Sequence, residues 1–129
     1  MKLLLDTHAL LWMISDDHRL SSNARNAILS AKELHWSIVS LWELAVKESL
    51  ERFDLKLSPG WHEWIPGELR RNGALQMDVL NTHCHVVSQL PWHHRDPFDR
   101  MLVAQAKTEG AILVTRDGLI RAYDVECVW

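Results

Sequence analysis

Asp96-Pro97-Phe98-Asp99-Arg100-Met101-Leu102-Val103-Ala104-Gln105-Ala106 runs on to Glu109-Gly110 and then into Ala111-Ile112-Leu113-Val114-Thr115-Arg116-Asp117. This stretch decides the fold. Asp96 is a helix N-cap, Pro97 suits the first helical position because its missing N–H has no partner there, and Gly110 suits the helix end. The apolar run Ala111–Thr115 follows with almost no linker, so a helix feeds directly into a buried strand. Working outward, Lys2–Leu5 reads as another short buried strand, closed by Asp6. His8–Ile14 places Leu10, Leu11 and Ile14 at helical spacing. Ser21-Ser22 caps a helix through Ala31, and Trp36–Val39 reads as a second strand, with Ser40 capping a helix that begins at Leu41. Pro59-Gly60 punctuates, a helical stretch from Trp61 ends near Asn72-Gly73, and Leu75–Val79 reads as a third strand. A short helix over Thr82–Leu90 and a loop over Pro91–Arg95 lead back to Asp96, and Val125–Val128 is a candidate fifth strand.

Strands alternating with helices imply βαβ units and a mainly parallel sheet of about five strands. The 129 residues suit one domain over 1–129 with a single core. At 47% hydrophobic and 24% charged, composition is ordinary for a globular chain. Asp6 interrupts the apolar opening well short of a signal-peptide core, and no run approaches the roughly 20 apolar residues of a membrane span. The expectation is a cytoplasmic protein without a membrane partner. Cys84 and Cys127, the only cysteines, lie among apolar neighbours and are expected as buried thiols rather than a disulfide framework.

A formal net charge of −3 argues at first against a nucleic-acid partner. Setting aside four of the 17 acids as a metal pocket leaves 13 facing 14 Lys and Arg, a near-neutral remainder. Bound divalent metal would reverse the local sign where phosphate docks.

Four acids point to one edge. Asp6 ends the first strand and Asp117 follows the fourth. Glu43 and Asp99 lie early in helices whose N-termini share the strands' C-terminal rim, where open α/β sheets bind ligands. A carboxylate pair about 4 Å apart costs on the order of 4 kcal/mol at an effective dielectric of 20. A convergent set therefore requires either wider spacing or a central cation, and an oxygen-only set suits Mg²⁺, with Mn²⁺ as the alternative. Each acid also has a plainer reading. Glu43 completes a Ser40-x-x-Glu43 capping box, Asp99 is a first-turn helix acid, and Asp117 before Gly118 is a turn residue. Asp6 is the hardest to explain in that way, because an ionised group closing an apolar strand needs a partner. Convergence, not any single position, carries the inference.

At these residues the chain resembles a PIN-domain ribonuclease, in particular the VapC-type toxin of toxin–antitoxin pairs. The matching pieces are Leu3–Trp12, Ser37–Glu43, His94–Ala106 and Leu113–Asp117, in an order and spacing that span nearly the whole chain. The resemblance implies a Rossmann-like three-layer α/β/α sandwich and an acidic metal pocket in which Asp6, Glu43, Asp99 and Asp117 match the family's acidic positions. It also implies a homodimer silenced by a VapB-type antitoxin, with RNA as substrate. Asp96 is a further acid near the pocket, with helix capping as its plainer role, and Thr7 and Thr115 are candidates for positioning water or phosphate.

The chemistry expected is Mg²⁺-assisted hydrolysis of RNA phosphodiester bonds. Asp6 is the preferred direct ligand, Asp99 and Asp117 bind directly or through water, and Glu43 either holds a second metal or helps deprotonate the water. Arg95, Arg100 and Arg116 are candidates for phosphate contact or for charge balance, and Trp92-His93-His94 for base stacking. His83-x-His85 with Cys84 lacks the spacing of a tetrahedral zinc site. Trp61 and Trp64, three apart, suit the core or a dimer contact better than RNA. Two competing readings remain: a phosphatase with Asp6 as nucleophile, which lacks an Asp-x-Asp pair, and a catalytically silent binding module whose acids receive an arginine from a partner.

Overall fold

Leu3, Leu4 and Leu5 are wholly buried, as a continuous apolar run requires when a strand is covered on both faces. A computed structural model describes residues 1–51 and 57–129. In it this run is the central strand β1, Lys2–Leu5. Then follow α1 (Thr7–Ile14), α2 (Ser22–Ser30), β2 (Glu33–Ser37), α3 (Ile38–Ser49), α4 (Trp61–Arg71) and β3 (Ala74–Met77). The chain ends with α5 (Asn81–Gln89), α6 (Pro97–Glu109), β4 (Ile112–Val114), a short 3₁₀ turn at Ile120–Ala122 and β5 (Cys127–Val128).

Strand order is β3-β2-β1-β4-β5, with every pairing parallel. Alternation of side chains along β1 sorts the helices into two outer layers. Leu3 and Leu5 join a core with Leu10 of α1, Ala24 of α2 and Ile65 and Leu69 of α4. Leu4 joins the opposite core, with Leu102 and Val103 of α6 and partly buried Val86 of α5. The expected α/β/α sandwich with a parallel sheet of five strands is what the described residues form. Among them no helix is long and apolar enough to cross a membrane.

The second strand departs from expectation. It spans Glu33–Ser37, and the β-branched pair Ile38-Val39 opens α3 instead of ending β2. Pairing explains the shift: β2 runs alongside β1 from Lys2↔Glu33 to Leu5↔Trp36, and β1 ends there. Backbone beyond Ser37 has no β1 edge left to pair with, so it turns into a helix. Ser37, not Ser40, is the N-cap, its hydroxyl accepting the Val39 N–H at 3.1 Å.

The cysteine expectation is also corrected, since Cys84 is exposed and Cys127 only half-buried, both as free thiols. On α5 the buried position belongs to His83, whose Nδ1 accepts the Leu80 N–H at 3.0 Å and whose Nε2 lies 2.8 Å from Glu109 Oε1. His85 is exposed, so the His83-x-His85 pair faces different surroundings and forms no shared site. Trp61 packs against the core while Trp64 is exposed. Both line an apolar groove of about 330 Å³ with Leu11 and Ile14 of α1.

Candidate metal centre

β2 and then β3 lie outward of β1 on one side, and β4 and β5 on the other, so the sense in which the chain steps across the all-parallel sheet reverses between β1 and β4. A crevice opens at such a switch point, outside the strands' C-terminal ends. Leu5 pairs with Val114, which puts the next residues, Asp6 and Thr115, side by side at the C-terminal edge of the sheet. The Asp6 N–H continues the ladder to the Val114 carbonyl at 3.1 Å. Helices α1, α3 and α6 all begin at this rim.

Asp6 caps α1, its Oδ1 accepting the Ala9 N–H at 2.8 Å. It is only 6% exposed. Burial pushes its carboxyl above the ordinary range, the Thr115 hydroxyl and the Ala9 N–H oppose that push, and Glu43 adds to it. Glu43 lies in the second turn of α3 rather than at its start, which removes the expected capping box. Ser40, buried inside the helix, serves Glu43 indirectly. Thr7 Oγ1 lies 2.7 Å from Glu43 Oε1 and 2.9 Å from Ser40 Oγ. With one proton, Thr7 donates to the carboxylate and accepts from Ser40. Lys47 completes the set as an ion pair with Glu43 Oε2, one helical turn on.

Asp99 is where the acids crowd most. Its carboxyl is pushed up to about 8, first by burial and then by the charges of Asp96, Glu43, Asp6 and Asp117. Those residues are spread across most of the sequence, and only the tertiary fold brings them within electrostatic reach of one another. One oxygen each from Asp99 and Asp117 and one ring nitrogen of His94 lie within 4.8 Å of one another. Asp96 performs its plainer role as N-cap of α6, accepting the Phe98 N–H at 2.9 Å and the Asp99 N–H at 3.1 Å. Asp117 also makes the turn its sequence suggested, its Oδ1 accepting the Leu119 N–H at 2.9 Å.

The hydroxyls of Thr7 and Thr115 are engaged inside the protein: both residues are buried, and Thr115 Oγ1 accepts the Asp117 N–H at 3.1 Å. They knit the acids together rather than face solvent. Arg100 is a clearer correction. It is 4% exposed, and its guanidinium donates to the Pro91 carbonyl at 2.7 Å, to Tyr123 Oη at 2.9 Å and to the Val87 and Leu90 carbonyls at 3.3 Å. A rigid five-donor fork suits tying a loop end to a helix, and it leaves no free edge for RNA. Arg95 and Arg116 are exposed, the latter with its guanidinium 4.6 Å over the buried Trp12 ring.

The trio Trp92-His93-His94 separates. Trp92 is 77% exposed, but Arg100 covers one face at 3.8 Å. His93 packs edge-on against Tyr123. His94 turns inward with its side chain 7% exposed, Nε2 lying 3.5 Å from Asp99 Oδ2. Sequence reasoning assigned His94 to base stacking and missed its place beside the acids. The only available signal was its position two residues before Asp96.

The donor set fits a divalent cation. Mutually repelling carboxylates in a half-buried crevice, one of them forced to hold its proton to about neutral pH, are the condition that a bound cation relieves. Asp99 and Asp117 are the carboxylates whose oxygens lie close enough together to share it, with Asp6 and Glu43 near enough to add their charge.

A parallel doubly wound sheet with carboxylates gathered at its switch point defines an α/β protein with an acidic site at the sheet edge, and the chain belongs to the PIN domain family, whose model matches residues 3–126. It is 33% identical over 121 residues to the ribonuclease VapC22 of Mycobacterium tuberculosis, covering 93% of this chain and 90% of that protein. In three dimensions it resembles the DNA-bound VapBC2 structure of Rickettsia felis, with TM-score 0.69, 18% identity and coverage of 98% and 97% of the two chains. The DNA-bound VapBC structure of Salmonella typhimurium matches with TM-score 0.70, 16% identity and coverage of 98% and 96%.

Proposed function

We propose that this protein is a divalent-metal-dependent endoribonuclease and the toxin of a VapBC-type toxin–antitoxin pair, with Mg²⁺ as its metal and Mn²⁺ as a substitute. The observation that carries the reading is the crowding at Asp99, whose carboxyl is pushed up to about 8 by burial, by neighbouring Asp96 and by acids from three other parts of the chain. A shared cation would resolve that arrangement. Likeness to a protein named as a VapC ribonuclease supports the choice of RNA over other phosphodiesters.

Asp6, Asp99 and Asp117 would hold the cation, which when bound would supply positive charge at the phosphoryl oxygens and lower the pKa of a water. The residues supply placement. Asp6 is fixed by its cap bond to Ala9, a rigid post at the C-terminal edge of the sheet. Glu43, held by Thr7 and Lys47, keeps negative charge within reach of Asp6 and is placed to accept a proton from water or to bind a second cation. Arg95 and Arg116, exposed at the rim, offer positive charge to flanking phosphates. A VapB-type antitoxin as partner belongs to the same reading, supported by the likeness to VapBC complexes; a homodimeric state and a cytoplasmic location are part of the proposal.

Purified protein, freed of metal and then supplied with Mg²⁺ or Mn²⁺, is expected to cleave RNA, and chelation is expected to stop it. Asp6→Asn is expected to abolish cleavage while leaving the circular-dichroism spectrum and fold intact. Metal-independent cleavage, or full activity in Asp6→Asn, would overturn the reading. No cleavage of any RNA, with cation binding retained, would favour the silent binding module.

A further inference from the structure

His94 is the buried polar group that the chemistry above leaves unused. Its Nε2 is enclosed, lacks a hydrogen-bond partner among the described residues, and points into the acid cluster. Its other nitrogen, Nδ1, lies 2.9 Å from Tyr123 Oη. The phenol in turn lies 2.9 Å from Arg100 Nη1, and Tyr123 is itself buried.

The direction of this chain follows from which groups can donate. A guanidinium only donates, so Tyr123 Oη must accept from Arg100. Its own proton then has one acceptor in reach, the lone pair of His94 Nδ1. A neutral imidazole that accepts at Nδ1 carries its proton on Nε2. The opposite tautomer would give Tyr123 Oη two donors and strand the phenol proton in a buried site, an arrangement that costs a desolvated, unpaired group. The Nε2–H faces Asp99 Oδ2 at 3.5 Å, just outside the ordinary hydrogen-bond range, so a small turn of the Asp99 carboxylate closes the bond.

We propose that His94 is a positioning residue for the metal pocket: Arg100 and Tyr123 set its tautomer so that its Nε2–H donates to Asp99 Oδ2 and holds that carboxylate in place, and Nε2 itself does not ligate the metal. Arg100 thereby acts on the pocket from two side chains away. The role of Asp99 in this proposal rests on the metal-pocket part of the proposed function and not on RNA cleavage, and the tautomer rests on neither.

The experiment is long-range ¹H–¹⁵N NMR of the metal-free protein at about pH 8, above the ordinary histidine range. His94 is expected to show a protonated Nε2 and an unprotonated Nδ1, and to keep that pattern when Mg²⁺ is added. Tyr123→Phe is expected to turn the single pattern into a mixture of tautomers. A proton on Nδ1 in the unmutated protein, alone or in an imidazolium, overturns the proposal, as does loss of the Nε2 proton on adding Mg²⁺. Mn²⁺ affinity, measured by calorimetry, is expected to fall about 10–100-fold in His94→Leu, the usual cost of removing an outer partner of a metal ligand. His94→Gln, whose amide N–H reaches the same place, is expected to restore most of it. Undiminished affinity in the Leu variant, or equal loss in both, overturns the positioning role. Should the protein bind Mn²⁺ and show the expected tautomer yet cleave no RNA, the nuclease reading fails while the His94 assignment stands.

Discussion

At the scale of single residues, Asp99 carries the clearest pH signature of the acid cluster. Burial and the surrounding acids push its carboxyl up to about 8 in the folded chain from an ordinary value of 3.8. Between those values the folded protein holds a proton that the unfolded chain has released, so stability falls as pH rises through that window and levels off above about 8. The metal-free protein is therefore expected to melt at progressively lower temperature from pH 4 to 8, and saturating Mg²⁺ is expected to flatten the dependence. Differential scanning calorimetry over that range, with and without the ion, reads both effects. Asp99→Asn removes a repelled charge, so it is expected to raise the melting temperature of the metal-free protein near pH 8 and to shrink the gain on adding Mg²⁺. An unchanged Mg²⁺ response in that variant would make Asp99 a helix-start acid only. Arg100 behaves differently: Arg100→Ala leaves buried carbonyls of the loop before α6 without donors, at a cost of about 1–3 kcal/mol by denaturant melt. The sequence marked Arg100 for phosphate because it stands beside Asp99. Burial, which no local pattern reveals, reassigned it.

At the scale of elements, the caps decide where helices start and therefore which way the acids face. Ser37 rather than Ser40 begins α3, and that shift moves Glu43 from a cap position into the buried second turn. Ser37→Ala is expected to cost about 1 kcal/mol as a lost N-cap, and Ser37→Gly only a few tenths. Ser40→Ala should instead loosen the Thr7–Glu43 contact without fraying the helix end, visible as altered amide exchange at Thr7 but not at Ile38 and Val39. Gly110 closes α6 with a positive φ of 66° and open space where a Cβ would stand. Gly110→Ala is therefore expected to cost roughly 1–2 kcal/mol through backbone conformation alone. The cap, the first-position proline and the terminal glycine of α6 were all legible, because each acts within a few residues of itself. The start of α3 was not, because it depends on where a different strand stops.

At the scale of the whole molecule, parallel order β3-β2-β1-β4-β5 collects three helix N-termini and two strand ends at one crevice. Alternating apolar runs and capped helices were enough to infer that sheet and its functional edge, since right-handed crossovers leave little choice about which rim the loops share. The convergence of Asp6, Glu43, Asp99 and Asp117 was inferred on the same topological ground. Local chemistry fixed the class of fold, the caps of α1's neighbour α2 and of α6, and the types of residue at the rim, because periodicity and capping are short-range properties of the chain. Only the folded arrangement decided that Asp99 holds its proton to about 8, that Arg100 is an internal tie and that His94 faces the acids. Those outcomes depend on solvent exclusion and on charges contributed from distant parts of the chain, and neither is encoded in any one segment.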